Sequence, residues 1–154
     1  MSRSKKPRKR YVPRQCGSGV PLVMRASIAR EPVTDEYAGE LEMVVLSAFD
    51  AVVVHGHGTR REWDCLARAL NHSWVLASNG IGAEAAPVLE RAKEAMRRAR
   101  DRFTNGGRIG FDGEGNRDLR AALDLWGEQL RMCTVGEVDA ATRAVEKHYW
   151  SVPA

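Results

Sequence analysis

The sequence lacks any apolar run of the roughly 20 residues that a membrane-crossing helix needs. Its longest candidates, residues 43–49 and 51–54, are divided by Asp50, so no membrane partner is expected. Cysteine is scarce: Cys16, Cys65 and Cys133 are an odd number at wide spacing, which reads as reduced thiols in a cytosol rather than a disulfide framework. A Gly-rich phosphate loop, a nucleophile elbow and a paired-carboxylate pattern are missing, so the chain is expected to be non-enzymatic, with no catalytic residue and no cofactor. The basic N-terminus leads into Tyr11-Val12-Pro13-Arg14 and not into an apolar segment. A secretory signal is therefore not read there, and the expected location is the cytoplasm.

Acidic side chains are absent from residues 1–30, which hold nine Lys or Arg. The chain has 24 basic and 20 acidic residues, so 15 basic and 20 acidic fall beyond residue 30, and the net +4 divides into +9 and −5. Pro7, Pro13, Pro21 and Pro32, with Gly17 and Gly19, argue against helix there. Residues 1–32 read as a flexible basic arm and an extended lead-in, with Val20–Ile28 lying strand-like on the body. Arg3, Lys5, Lys6, Arg8, Lys9, Arg10 and Arg14 have the composition of a segment that neutralises phosphates, and Tyr11 is placed to stack on a base. A solvated, solubilising tail is the competing reading.

Residues 33–154 read as one all-α domain, a compact bundle of about five helices joined by short loops. The clearest helix is 59–79. Thr59 and Glu62 form a capping box, Gly80 supplies a left-handed stop, and Trp63, Leu66, Ala67, Leu70, Trp74 and Ala77 recur at helical spacing. That pattern predicts two buried indoles. Before it, Thr34 caps a helix whose apolar residues, Tyr37, Leu41, Met43, Val44 and Phe49 among them, nearly fill its circumference, which predicts burial on two sides. After it come a helix from about Ala83 to Phe103 with Pro87 in the first turn, a helix capped by Asn116 with stripe Leu119, Ala122, Leu123, Trp126 and Leu130, and a last helix opened by Thr134 and Glu137.

A second basic face is possible on the third of these helices, at Arg91, Arg98 and Arg102, although Glu94–Arg98 and Arg97–Asp101 are spaced to pair along the same helix. A helix-turn-helix reading of the last two helices is disfavoured, because Glu137, Asp139 and Glu146 outweigh Arg143 and Lys147. His55, His57, Cys65 and His72 carry metal-capable atoms, but Cys65 and His72 stand about 10 Å apart along a helix, so no metal site is expected. Asp112, Glu114, Asn116 and Asp118 alternate like a calcium loop, yet Arg117 and Leu123 occupy the positions that need Gly and Glu.

The segments KKPRKRYVPR, HGTRREWDCLARALN, NGIGAE and LWGEQLRMCTVGEVDAATRAVEKHY resemble a set of small, uncharacterised helical proteins encoded by tailed bacteriophages and prophages of proteobacteria. The similarity covers most of the chain and consists of turn, cap and stripe residues, so it carries over no site residue. It implies a phage accessory protein that binds nucleic acid or an acidic host-protein surface. A protein-binding inhibitor of a host process or defence, resembling anti-CRISPR proteins, and a virion or assembly protein are the alternatives. Oligomeric state is not legible.

Overall fold

The computed structural model describes residues 22–56 and 58–151. Helix α1 is Leu22–Ile28, α2 Asp35–Val53, α3 Arg60–Ser78, α4 Ala86–Thr104, α5 Gly113–Met132 and α6 Val135–Ser151, with a 3-10 turn at Ala83–Ala85 leading into α4. Among the described residues there is no strand, only isolated bridges between Pro32 and Thr134 and between Gly58 and Ile109. The expected all-α bundle is therefore the fold observed, and α3 is its central member, in contact with α2, α4, α5 and α6.

Local chemistry sets the helix boundaries. The Thr34 hydroxyl accepts from Tyr37 N. Thr59 and Glu62 form the reciprocal capping box at α3, and Thr134 and Glu137 repeat it at α6, where Thr134 N donates to the Glu137 carboxylate at 2.7 Å and Glu137 N to the Thr134 hydroxyl at 3.4 Å. Each box satisfies donors that a first helical turn leaves open. Gly80 stops α3 at φ +91° and Gly106 follows α4 at φ +88°. Pro87 lies in the first turn of α4, where its missing N–H costs no helical bond.

Two boundaries differ from the sequence reading. Residues 22–28 are helical rather than extended; Leu22, Met24, Arg25 and Ala26 are good helix formers. Docking falls instead to the next residues, where Ala29 O and Glu31 O accept from Gly136 N and Val135 N at 3.0 and 2.9 Å, and Val33 N donates to Cys133 O at 2.9 Å. Helix α5 starts earlier than expected because Asp112, not Asn116, is its cap, accepting from Gly115 N at 2.6 Å. The capping carboxyl is held below its usual pKa, chiefly by that bond. Asn116 lies within the first turn, its side-chain oxygen buried without a partner.

The core is made by Leu66, Leu76, Leu89, Leu119 and Leu130, all essentially inaccessible, with Trp126, Phe49 and Val138 around them. Side-chain burial corrects the expected faces of α2, α3 and α4. On α2, Ala38, Val45, Ala48, Phe49 and Val52 are buried, but Met43 and Val44 are 69% and 63% exposed, so this helix covers the core on one side only. Phe103, expected to point inward, is half exposed at the end of α4. On α3 the buried face runs through Leu66, Ala69, Leu70, His72, Ser73 and Leu76, which leaves Trp63 and Trp74 half-buried at its flanks.

Close approach at two glycines bears on how α5 packs. A Cβ on Gly127 of α5 would stand 2.7 Å from Glu42 Cδ. Its absence lets Glu42 of α2 reach Arg131 of α5 in a bidentate pair at 2.7 and 2.8 Å. Gly82 has φ +65°, and a Cβ there would meet Gln129 Cγ at 2.9 Å. Gly80→Ala should cost about 1–2 kcal/mol from left-handed strain alone, since no atom lies within 4 Å of its Cβ position. Gly82→Ala should cost more, because strain and the Gln129 contact add. Urea unfolding of the two variants checks the order; equal losses would mean that the Gln129 contact is not felt.

Candidate functional site

Helix α3 brings two consecutive polar side chains, His72 and Ser73, into the interior. Burying them requires partners, because an unpaired polar group in the core is costly. His72 Nε2–H donates to Val138 O of α6 at 3.1 Å, and Trp126 Nε1–H of α5 donates to His72 Nδ1 at 3.1 Å. The indole can only donate, so these two bonds select the neutral ring protonated at Nε2. Burial pushes the His72 pKa below the ordinary histidine value, opposed in part by the Val138 carbonyl. Beside it, the Ser73 hydroxyl donates to Gln129 Oε1, and Gln129 Nε2 donates to Ile81 O at 2.8 Å. Gln129 thereby ties α5 to the turn after α3. In the sequence His72 reads only as a metal-capable side chain, and nothing local singles out Ser73 or Gln129, whose side-chain partners lie 48 or more residues away.

Two clefts open on either side of α6. The first, about 610 Å³, lies where α2 and α6 spread apart over α3, with Leu41, Val44 and Val45 on one wall, Val145 and Thr142 on the other, and Ala69, His72 and Trp126 at its floor. Arg68 and Glu146 stand among its lining residues. Cys65 also lines it, with a pKa raised chiefly by burial, so the thiolate a nucleophile needs is disfavoured. Volume and apolar character fit a site for an apolar side chain or small ligand.

The second is a groove between α3, α4 and α6, formed by two contiguous hollows of about 400 and 470 Å³ that share Asn71, Lys93 and His148. Trp74 and Trp63 line one hollow each. Trp63 is backed by Phe111, stacked at 6.3 Å and 9°, an arrangement supported by the bridge between Gly58 and the buried Ile109. Lys93 Nζ sits 3.6 Å over the Trp74 ring, a cation–π contact. Desolvation lowers the Lys93 pKa, against the attraction of Glu90. Among the described residues the lining also includes Arg97 and Arg100 and no carboxylate.

The expected second basic face is occupied by ion pairs. Arg91 faces Asp118 at 3.4 Å, Arg98 faces Asp112 at 3.7 Å, and Arg102 faces Asp112 at 3.4 Å while donating to Gly110 O at 2.8 Å. These are bonds from α4 to the start of α5. Neither expected intrahelical pair forms: Glu94 takes Arg97 at 2.9 Å, and Asp101 takes its neighbour Arg100 at 3.0 Å. The arm residues Arg3, Lys5, Lys6, Arg8, Lys9, Arg10, Tyr11 and Arg14, like His57, lie outside the described residues. Among the described residues no three His, Cys, Asp or Glu side chains gather as metal ligands, and no helix is long and apolar enough to cross a membrane. Cys133 donates to Gln129 O at 3.1 Å, and burial pushes its pKa up to about 11.

Because the native His72 ring resists protonation while the unfolded ring does not, the unfolded state binds more protons below the unfolded histidine pKa of about 6.5. Stability should therefore be insensitive to this group above that pH. It should fall below it by up to about 1.4 kcal/mol per pH unit until the native ring protonates. Trp126→Phe removes the donor facing Nδ1; denaturation at pH 7.5, 6.5 and 5.5 should show a less stable protein with a weaker decline, and the His72 ring should titrate at higher pH by NMR. An unchanged decline in the variant would show that the pH dependence arises elsewhere.

Comparison with protein-family models, with curated proteins and with solved structures returned no match.

Proposed function

We propose that the protein is a non-enzymatic accessory protein of a phage or prophage that binds nucleic acid through its basic N-terminal arm, with the helical bundle as its anchor. The observation that carries this reading is the segregation of charge: seven Lys or Arg and no acid in residues 1–14, against an excess of acid beyond residue 30. The pairing on α4 supports it. Arg91, Arg98 and Arg102 hold α5 through Asp112 and Asp118, so much of the bundle's positive charge is engaged internally. Phosphate binding by such a segment is driven by counterion release and needs no preformed pocket.

If all seven cations meet duplex phosphates, log affinity should fall against log salt with a slope of about −6, and each replacement by Gln should flatten it by about 0.9. Losses should be nearly equal for two unrelated duplexes, because the arm has no base-reading element. Fluorescence anisotropy at several salt concentrations measures this. A protein with all seven positions changed to Gln that binds as tightly as the original would refute the arm.

The cleft between α2 and α6 favours a second reading, a protein-binding inhibitor of a host process, since Val44 and its exposed neighbour Met43 present apolar surface of the kind partners cover. Val44→Glu should then abolish capture of that partner while leaving duplex binding intact. Equal capture by both proteins, assayed in nuclease-treated lysate, would exclude the cleft as the docking surface.

A further inference from the structure

We infer that the groove between α3, α4 and α6 is a binding site for a short run of single-stranded nucleic acid, with bases against Trp63 and Trp74 and phosphates against Lys93, Arg97 and Arg100. This deepens the nucleic-acid reading of the arm and rests on it. The bundle carries excess acid, yet the charged side chains lining this groove among the described residues are Lys93, Arg97 and Arg100, all basic. Lys93, Arg97 and Arg100 recur at intervals of four and three, which aligns them along about 10 Å of α4. Trp63 and Trp74 stand eleven residues apart on α3, about 16 Å along its axis.

The mixture of groups selects the ligand. An anion alone would need only the cations; the indoles add flat apolar surface on which a base stacks irrespective of sequence. Bases inside a duplex are already stacked on each other, so the site discriminates for single strands. Lys93 has no carboxylate within ion-pair distance among the described residues, and its amine lies over the Trp74 ring; as the ammonium turns to a phosphate, it leaves that indole face to a base. Arg97 and Arg100 pair with Glu94 and Asp101 at exposed positions, where ion pairs are weak and exchange readily.

The test uses the full chain, oligothymidine and a duplex of equal length, with anisotropy and tryptophan fluorescence as readouts. Lys93→Gln combined with Arg97→Gln should lower oligothymidine affinity about 10-fold and flatten its salt slope by about 0.7 per lost contact, against less than about 3-fold for duplex. Tryptophan quenching by oligothymidine should shrink with it. Ala144→Glu, which puts a carboxylate in the α6 wall, should act in the same direction if the double variant melts early. Unchanged single-strand affinity and quenching in both variants would overturn the site. Displacement of oligothymidine by poly-glutamate at equal charge would also overturn it, in favour of an acidic polypeptide. Changing Lys5, Lys6, Arg8, Lys9 and Arg10 to Gln tests the arm separately: duplex affinity that survives this change counts against the arm and leaves the groove result to stand by itself.

Discussion

Two adjacent polar side chains at the centre of an apolar bundle constrain everything packed around them. His72 and Ser73 sit on the most buried side of α3, and each needs a partner at hydrogen-bond distance from a different element. Trp126 and Gln129 of α5 and the Val138 carbonyl of α6 provide them. A sliding or rotation of α5 against α3 by one residue would break both sets of bonds together, whereas leucine contacts would tolerate it. The apolar contacts supply most of the driving force for collapse, and the polar pair supplies the register. The same bonds reach the turn after α3 through Gln129 and Ile81, so the path of the chain into α4 is tied to that register as well.

Electrostatics operates as a second layer on the surface of this arrangement. The α4 arginines are directed at the N-terminal turn of α5, where Asp112 serves at once as helix cap and as counter-ion to Arg98 and Arg102. At the other end of α5, Arg131 in its last turn joins Glu42, which links α2 to α5. Such exposed pairs contribute little to stability. Their larger effect is on distribution, because a guanidinium committed to a neighbouring helix is not presented to a ligand.

The features that could be read from the sequence are those governed by interactions within a few residues. Both capping boxes, the Gly80 stop, the place of Pro87 and the stripe of α5 depend on spacings of three or four along the chain, and all are found. What escaped depends on partners far apart in sequence. Arg98 paired with Asp112 rather than Glu94 because α5 arrives beside it. The helical spacing of Trp63 and Trp74 with Leu66, Ala67 and Leu70 predicts indoles in the interior; the packed face is instead the one with small Ala69 and the satisfied Ser73, where α5 approaches. The exposed face of α2 escaped for a related reason: apolar residues around the whole circumference do not say which side the rest of the chain will cover. The groove needed α3, α4 and α6 at once, and no local pattern encodes such a meeting.

Helix α6 is the thin wall between two rooms. Val145 belongs to the lining of the apolar cleft and to that of the aromatic groove, and no second layer separates them there. A displacement of α6 that widened one would narrow the other, with the backbone at Val138, near the N-terminal turns of the helix, still tied to His72. Occupants of the two spaces would feel each other through a single rigid rod, as opposing loads on one lever.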